Sequence, residues 1–173
     1  MSSLPALVVF DCDGTLVDSQ NGIVLTVQRA FAREGLPVPS DAAVRERVGL
    51  SLAAFVADLV GDLEAARVNA LVTAYREEFV LARERDGHDP LFPGIRTLLD
   101  DLSAAGVLLG VATGKSRHGL RSVIEAHDLR SLFVTLQSAD DAPSKPHPGM
   151  ILQAMDEAGV EPDRTFVDGD SIY

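Results

Sequence analysis

The sequence predicts an α/β protein, a doubly wound parallel sheet with an all-helical block inserted after its first strand. A short apolar run at residues 6–10 lacks alternation, as expected of a strand buried on both faces. Only helical periodicity follows over residues 22–85. Helices then alternate with short apolar runs, which is the pattern of a parallel sheet with crossover helices.

Length and composition narrow the class of protein. The 173 residues are 46% hydrophobic and 24% charged, as in globular domains and unlike disordered chains. The net charge of -11 argues against nucleic acid or an anionic membrane as partner. No apolar run approaches the roughly 20 residues of a membrane helix, and the N-terminus lacks the basic flank of a signal peptide. We therefore expect a cytoplasmic protein.

The elements follow in order along the chain. The first strand, at 6–10, precedes a helix over 22–34, which ends at a glycine. Two short helices over 42–48 and 51–59 flank a glycine break, and a longer helix over 63–85 carries apolar residues four apart on one face. Three helices and three strands are predicted beyond, the helices over 95–105, 116–126 and 149–158 and the strands over 107–112, 132–136 and 165–167.

This order predicts two units. Residues 1–17 and 91–173 form a discontinuous catalytic core, and residues 18–90 form a helical cap. The connections at 16–19 and 89–93 are the expected hinges.

The strongest chemical signal directly follows the first strand. Asp11 and Asp13 lie two residues apart, so in an extended chain their carboxylates point to the same side, roughly 7 Å apart. Gly14 permits a sharp turn and a close approach of backbone N–H groups to an anion. Ligands of open α/β sheets gather at the carboxyl ends of strands, so the pair is well placed for catalysis.

Polar residues also follow the later strands. Thr113 and Gly114 precede a helix and could bind an anion. The stretch is not a nucleotide-binding P-loop, because only three residues separate Gly110 from Gly114 where four are needed. Lys145 stands in a loop where it could neutralise a phosphate, and Asp170 belongs to an acidic turn that suits Mg²⁺.

Together these segments resemble the haloacid dehalogenase superfamily of phosphohydrolases. Residues 10–19, Phe-Asp-Cys-Asp-Gly-Thr-Leu-Val-Asp-Ser, are similar to its first motif almost letter for letter. Residues 111–115, 145–148 and 169–171 resemble its second, third and fourth motifs. The helical insertion is similar to the cap of subfamily IA, the phosphoglycolate-phosphatase-like branch.

The resemblance implies a Rossmann-like core and a role for each matched residue. Asp11 would be the nucleophile, and Asp13 the acid and base. Thr113, Gly114 and Lys145 would bind the phosphoryl oxygens. Asp11, the backbone carbonyl of Asp13, and Asp170 would hold Mg²⁺. The implied activity is hydrolysis of a small phosphorylated metabolite by a monomer or weak dimer.

The chain departs from the family at its C-terminal end. The fourth motif normally continues to a further aspartate, a helix and an edge strand, whereas this sequence stops at Tyr173. Asp168 is unusual for that strand and is a weak candidate to replace the missing carboxylate. We expect the chain as given to be a poorer catalyst than a longer version; equal Mg²⁺-dependent rates would contradict this.

Two alternatives stay open at this point. A sugar-phosphate phosphomutase of the same superfamily would need a bisphosphorylated activator. A truncated, catalytically impaired binding module would show no turnover. Dehalogenase chemistry is disfavoured by Asp13, and phosphonate cleavage by the lack of any lysine over residues 22–90, since a Schiff base needs an amine. No role is assigned to the histidines, of which His88, His118 and His127 are expected to face solvent.

Overall fold

The computed structural model describes residues 4–170. The helices and strands follow one another in the order that the sequence predicts, with boundaries within about two residues for most elements. In chain order they are β1 (Leu7–Phe10), α1 (Gln20–Arg33), α2 (Asp41–Arg45), α3 (Leu52–Val60), α4 (Ala65–Asp86), α5 (Ile95–Ala104), β2 (Leu108–Ala112), α6 (Arg117–Ala126), β3 (Phe133–Gln137), α7 (Gly149–Ala158) and β4 (Thr165–Asp168).

The four strands form one parallel sheet in the order β3-β2-β1-β4. β1 is central, and all four of its residues are buried, which explains its unbroken apolar sequence. Its last residue, Phe10, pairs with Val111 on one side and Asp168 on the other. The carboxyl ends of these three strands therefore lie side by side.

Helices cover both faces of the sheet, so the predicted doubly wound fold is confirmed. Successive residues of β1 point to opposite faces. Val8 and Phe10 pack into one apolar cluster with residues of α5 and α6, including Leu99 and Leu120. Leu7 and Val9 belong to a second cluster on the other face, where Met150 and Ala154 of α7 complete it.

The insertion is all-helical, as predicted, and has an apolar cluster of its own. Side chains from α1 to α4 form it, among them Val27, Val44, Phe55 and Leu71. The helix predicted over 42–48 is shorter in the structure because the chain turns after Arg45 toward Gly49, whose φ is 106°. We call residues 18–90 the cap and the remainder the core; these limits stay a prediction.

The two connections between cap and core run side by side. The backbone N–H of Asp18 donates to the carbonyl of Pro90 at 2.9 Å, and that of Phe92 donates to Leu16 at 3.0 Å. Both crossings are thereby fixed at one edge of the core, next to the end of β1.

Within residues 4–170, no helix has both the length and the apolar character needed to cross a membrane.

Candidate active site

The first motif leaves the sheet through a tight turn that keeps both aspartates buried. Asp11 directly follows β1, and its side chain is 3% exposed. Gly14 has a φ of 82°, a conformation that favours glycine, and its N–H donates to the carbonyl of Val17 at 3.0 Å. Cys12, between the two aspartates, is fully buried. The turn leaves both carboxylates buried at the carboxyl end of β1.

Asp11 is held by its own backbone neighbour and by one lysine. The N–H of Cys12 donates to Oδ1 at 2.7 Å, and the ammonium of Lys145 lies 2.8 Å from Oδ2. Oδ2 is buried and accepts no well-aligned hydrogen bond from the described residues. Burial raises the pKa of Asp11, and the positive charge of Lys145 offsets only part of this rise. The structure thus brings together Asp11 and Lys145, two of the predicted site residues.

Asp13 has a lysine partner that the sequence reasoning did not assign to the site. The Nζ atom of Lys115 lies 2.8 Å from Oδ1 of Asp13, and the Ser19 hydroxyl donates to the same oxygen. The side chains of Lys115 and Asp13 are only 9% and 11% exposed. The sequence did contain one signal that Lys115 belongs to the site. The chain has only two lysines, and this one directly follows the Thr-Gly pair.

Thr113 and Gly114 lie at the carboxyl end of β2, on the side of the site toward the cap. Thr113 is 1% exposed, and its hydroxyl accepts the N–H of Lys115 at 3.3 Å. Gly114 is pressed against the cap backbone: a Cβ there would lie 2.4 Å from the carbonyl oxygen of Gly49 and 2.3 Å from that of Leu50. The structure therefore gives Gly114 a packing role, and phosphate binding by either residue stays a prediction.

Asp170 lies against the turn of the first motif. Its carboxylate occupies the space where a Cβ of Gly14 would stand, with an oxygen 2.1 Å from that position. Gln20 donates to it at 2.9 Å, and Thr15 contacts it at 3.4 Å. Asp168 instead ends β4, where its backbone carbonyl accepts the N–H of Asp11 at 2.9 Å.

The predicted metal ligands suit a hard cation. Across the described part of the chain, no three His, Cys, Asp or Glu side chains converge as a metal cluster. The predicted set needs only two carboxylates, Asp11 and Asp170, with the carbonyl of Asp13, to which no backbone N–H of residues 4–170 donates. Asp11 and Asp170 offer carboxylate oxygens of the kind that such an ion prefers, and the lack of a side chain at Gly14 leaves room for the Asp170 carboxylate beside the turn of the first motif.

A cavity of about 360 Å³ opens beside Asp11 and Lys145, and His147 and Asp168 are among its lining residues. A larger cavity of about 430 Å³, between α6 and β3, contains no predicted site residue. The site cavity therefore provides access to the buried end of β1 from the core side.

The histidines are mostly peripheral. His88 and His118 are exposed, as predicted, but His127 is half-buried, with Nε2 2.9 Å from the carbonyl oxygen of Asp89. The prediction for His127 was wrong because sequence periodicity does not show this contact with the hinge.

Comparison with known proteins agrees with this geometry. Residues 8–173 match the family model of the haloacid dehalogenase-like hydrolases. A probable phosphatase, IndB, of Dickeya dadantii is 36% identical, with 96% of this chain and 74% of the relative covered. A phosphoglycolate phosphatase of Rhodospirillum rubrum is 31% identical, over 97% and 73%.

The fold has close matches among solved structures. CbbY of Rhodobacter sphaeroides, solved in complex with phosphate, superposes with a TM-score of 0.78 at 24% identity, covering 98% of this chain and 79% of that one. Fold, motif positions and family match point to one conclusion: the chain belongs to the haloacid dehalogenase-like hydrolases.

Proposed function

We propose that this protein is a Mg²⁺-dependent phosphatase that hydrolyses small phosphate monoesters through an aspartyl-phosphate intermediate. The observation that carries the proposal is the buried Asp11 at the end of β1, with a lysine 2.8 Å from its free oxygen and a second aspartate two residues on. The names of the relatives, a probable phosphatase and a phosphoglycolate phosphatase, support the same chemistry.

Asp11 acts as the nucleophile. An oxygen of its carboxylate attacks phosphorus and forms a P–O bond while the bond to the ester oxygen breaks. Two anions approach each other in this step, so their repulsion must be neutralised. Lys145 supplies a positive charge at Oδ2 of Asp11, and Thr113 would add a hydroxyl donor to the transferring group.

Asp13 acts as the acid and then the base. In its protonated form it gives a proton to the departing oxygen, and afterwards it accepts a proton from the water that attacks phosphorus. That attack breaks the bond to Asp11, releases inorganic phosphate and restores the free carboxylate. Ser19 and Lys115 both contact Oδ1 of Asp13, so they fix the orientation of the carboxyl group for both transfers.

Asp11, the carbonyl of Asp13, and Asp170 would hold Mg²⁺, which when bound would supply positive charge that neutralises the transferring phosphoryl group. We further propose that the cap closes over a small phosphorylated metabolite by movement at the two hinges. The protein would act as a monomer or weak dimer in the cytoplasm.

Turnover of p-nitrophenyl phosphate tests the proposal. We expect Mg²⁺-dependent release of p-nitrophenol by the wild type and a loss of at least 1,000-fold in kcat for Asp11→Asn, because an amide cannot form the phosphoryl ester (a loss on the order of that seen when nucleophiles are removed). The exposed Asp100→Asn, on α5 and outside the motifs and hinges, is the matched control and should retain the wild-type rate. Equal rates for Asp11→Asn and Asp100→Asn would refute the mechanism.

A further inference from the structure

The chain has only two lysines, and both lie in the candidate site. Each pairs with one aspartate of the first motif, Lys145 with Asp11 and Lys115 with Asp13, at 2.8 Å in both pairs. Lys145 has a role in the proposed phosphoryl transfer. Lys115 fixes Asp13, but the Ser19 hydroxyl already contacts the same oxygen, so orientation alone does not account for a second buried lysine.

Lys115 belongs to the core but is enclosed by the cap. Its ammonium lies 5.7 Å from the centre of the Phe79 ring on α4. Tyr75 stacks with Phe79 at 6.2 Å, and the guanidinium of Arg83 lies over that ring at 4.8 Å. These side chains form a wall with aromatic and positively charged character beside Asp13.

The ammonium keeps hydrogen-bonding capacity in this enclosure. It has three donors, and Asp13 is its only carboxylate contact among the described residues. An ammonium that pairs with a carboxylate, is more than nine-tenths buried and has unused donors is well suited to bind an anion.

The position of Lys115 relative to the leaving group indicates which anion it would bind. Asp13 delivers its proton to the oxygen that leaves, so Lys115 stands on the leaving-group side of the site, whereas Lys145 stands beside the nucleophile. Oδ1 of Asp13 is occupied by Ser19 and Lys115, while no hydrogen bond from residues 4–170 reaches Oδ2. Oδ2 is therefore the oxygen that can face the leaving group, with the ammonium next to it.

We propose that Lys115 is a specificity-determining residue that binds an anionic substituent on the leaving group. The site would then favour phosphate esters or anhydrides whose leaving group carries a carboxylate or a second phosphate close to the scissile bond. Esters of neutral alcohols would be poorer substrates, because they leave the remaining Lys115 donors buried and unsatisfied. The assignment rests on the proposed phosphatase function.

Paired substrates test the assignment. 2-Phosphoglycolate and its uncharged amide, 2-phosphoglycolamide, differ at the distal group alone, and pyrophosphate tests a second phosphate in place of the carboxylate. We expect the wild type to show a kcat/KM at least tenfold higher for 2-phosphoglycolate than for the amide. In Lys115→Met this ratio should fall to near one, and Lys115→Arg should keep part of it because the charge remains. Preference for pyrophosphate alone would identify a second phosphate as the bound group.

Each result separates this inference from the function on which it depends. Turnover of p-nitrophenyl phosphate that is lost in Asp11→Asn, together with a wild-type ratio near one, would overturn the role of Lys115 and leave the phosphatase intact. An unchanged ratio in Lys115→Met would do the same. Absence of Asp11-dependent turnover would overturn both.

A binding measurement covers the case in which Lys115 variants do not fold. Selective ¹⁵N labelling of lysine gives two side-chain signals in the wild-type protein, because the chain has two lysines. Glycolate, the leaving group without phosphate, should shift the signal of Lys115, and glycolamide should leave it in place. Equal shifts of the Lys115 signal with glycolate and with glycolamide would contradict the assignment. So would the absence of a shift at glycolate concentrations up to about 50-fold above the one that inhibits turnover.

Discussion

At the scale of single residues, the two aspartates of the first motif differ in their surroundings although they are two positions apart. Oδ2 of Asp11 has the ammonium of Lys145 beside it and no other contact with a hydrogen-bond donor among the described residues. Oδ1 of Asp13 has both a lysine and a serine contact. This difference is what the proposed mechanism requires, in which one aspartate attacks phosphorus and the other transfers protons.

The ionisation of the Tyr75 phenol reports how well the region around Lys115 is shielded from water. Burial raises the pKa of Tyr75 to about 12, while the positive charge of Lys115 lowers it in part. The chain has no tryptophan and only two tyrosines, so Tyr173→Phe leaves Tyr75 as the single tyrosine. We expect its absorbance at 295 nm to titrate near pH 12 instead of near pH 10.

The sign for stability follows from the same shift. The pKa of Tyr75 is higher in the folded protein than the unfolded value of 10.0, so the folded state holds the phenol proton more tightly. The resulting contribution to stability is fully present below pH 10. This contribution declines as the pH rises from 10 to about 12. Circular dichroism recorded at the same pH values is the control for alkaline unfolding. A midpoint near 10 in a protein that is still folded would show that the phenol is open to water.

At the scale of elements, the cap contacts the core through backbone as well as side chains. The N–H of Ser51, at the start of α3, donates to the hydroxyl of Ser144 at 2.9 Å. Gly114 meets the carbonyls of Gly49 and Leu50 at a distance that leaves no room for a side chain. The loop between α2 and α3 therefore packs closely against the carboxyl end of β2.

Gly114→Ala should separate these two surfaces. The added methyl would lie within 2.4 Å of two carbonyl oxygens, so we expect the free energy of unfolding to fall by about 1–3 kcal/mol, as measured in urea. Gly119→Ala is the control, because its Cβ would meet no atom closer than 3.4 Å and alanine favours the helix that contains it. If both variants were equally stable, the tight contact at Gly114 would be unimportant.

Sequence reasoning predicted the strands and the first motif because both are local signals. The buried run of β1 has no alternation, and the aspartates follow it directly. It did not predict the Lys115–Asp13 pair or the Ser51–Ser144 contact, whose partners are about a hundred residues apart along the chain. Such contacts depend on how the cap and the strand ends are arranged in space, which periodicity does not encode.

At the scale of the whole molecule, the net charge of -11 contrasts with a site that contains both lysines. The site lies at the junction of three strand ends and one edge of the cap, so an anion can be bound locally although the surface is negative overall. Screening by salt weakens the distant surface charges more than the buried pairs. Each aspartate–lysine pair is therefore a local feature that the total charge does not reveal.

Binding of a phosphoryl analogue should stabilise the whole fold. With Mg²⁺ and beryllium fluoride at about 100 times their dissociation constant, we expect a gain of about 2.7 kcal/mol. For a chain of this length this raises the melting temperature by about 5–10 °C. Asp11→Asn is the comparison, because the analogue must load the carboxylate. The same shift in that variant, followed by differential scanning fluorimetry, would place the anion elsewhere.

The thiol between the two aspartates has an experimental consequence. Cys12 is the only cysteine and is fully buried, and burial, followed by the negative charge of Asp13, raises its pKa. A reagent that modifies thiolates therefore does not react with Cys12 while the core of the protein is folded. The rate at which Cys12 reacts then reports how often the centre of the fold opens. A native side chain thus measures this opening, and no probe has to be introduced.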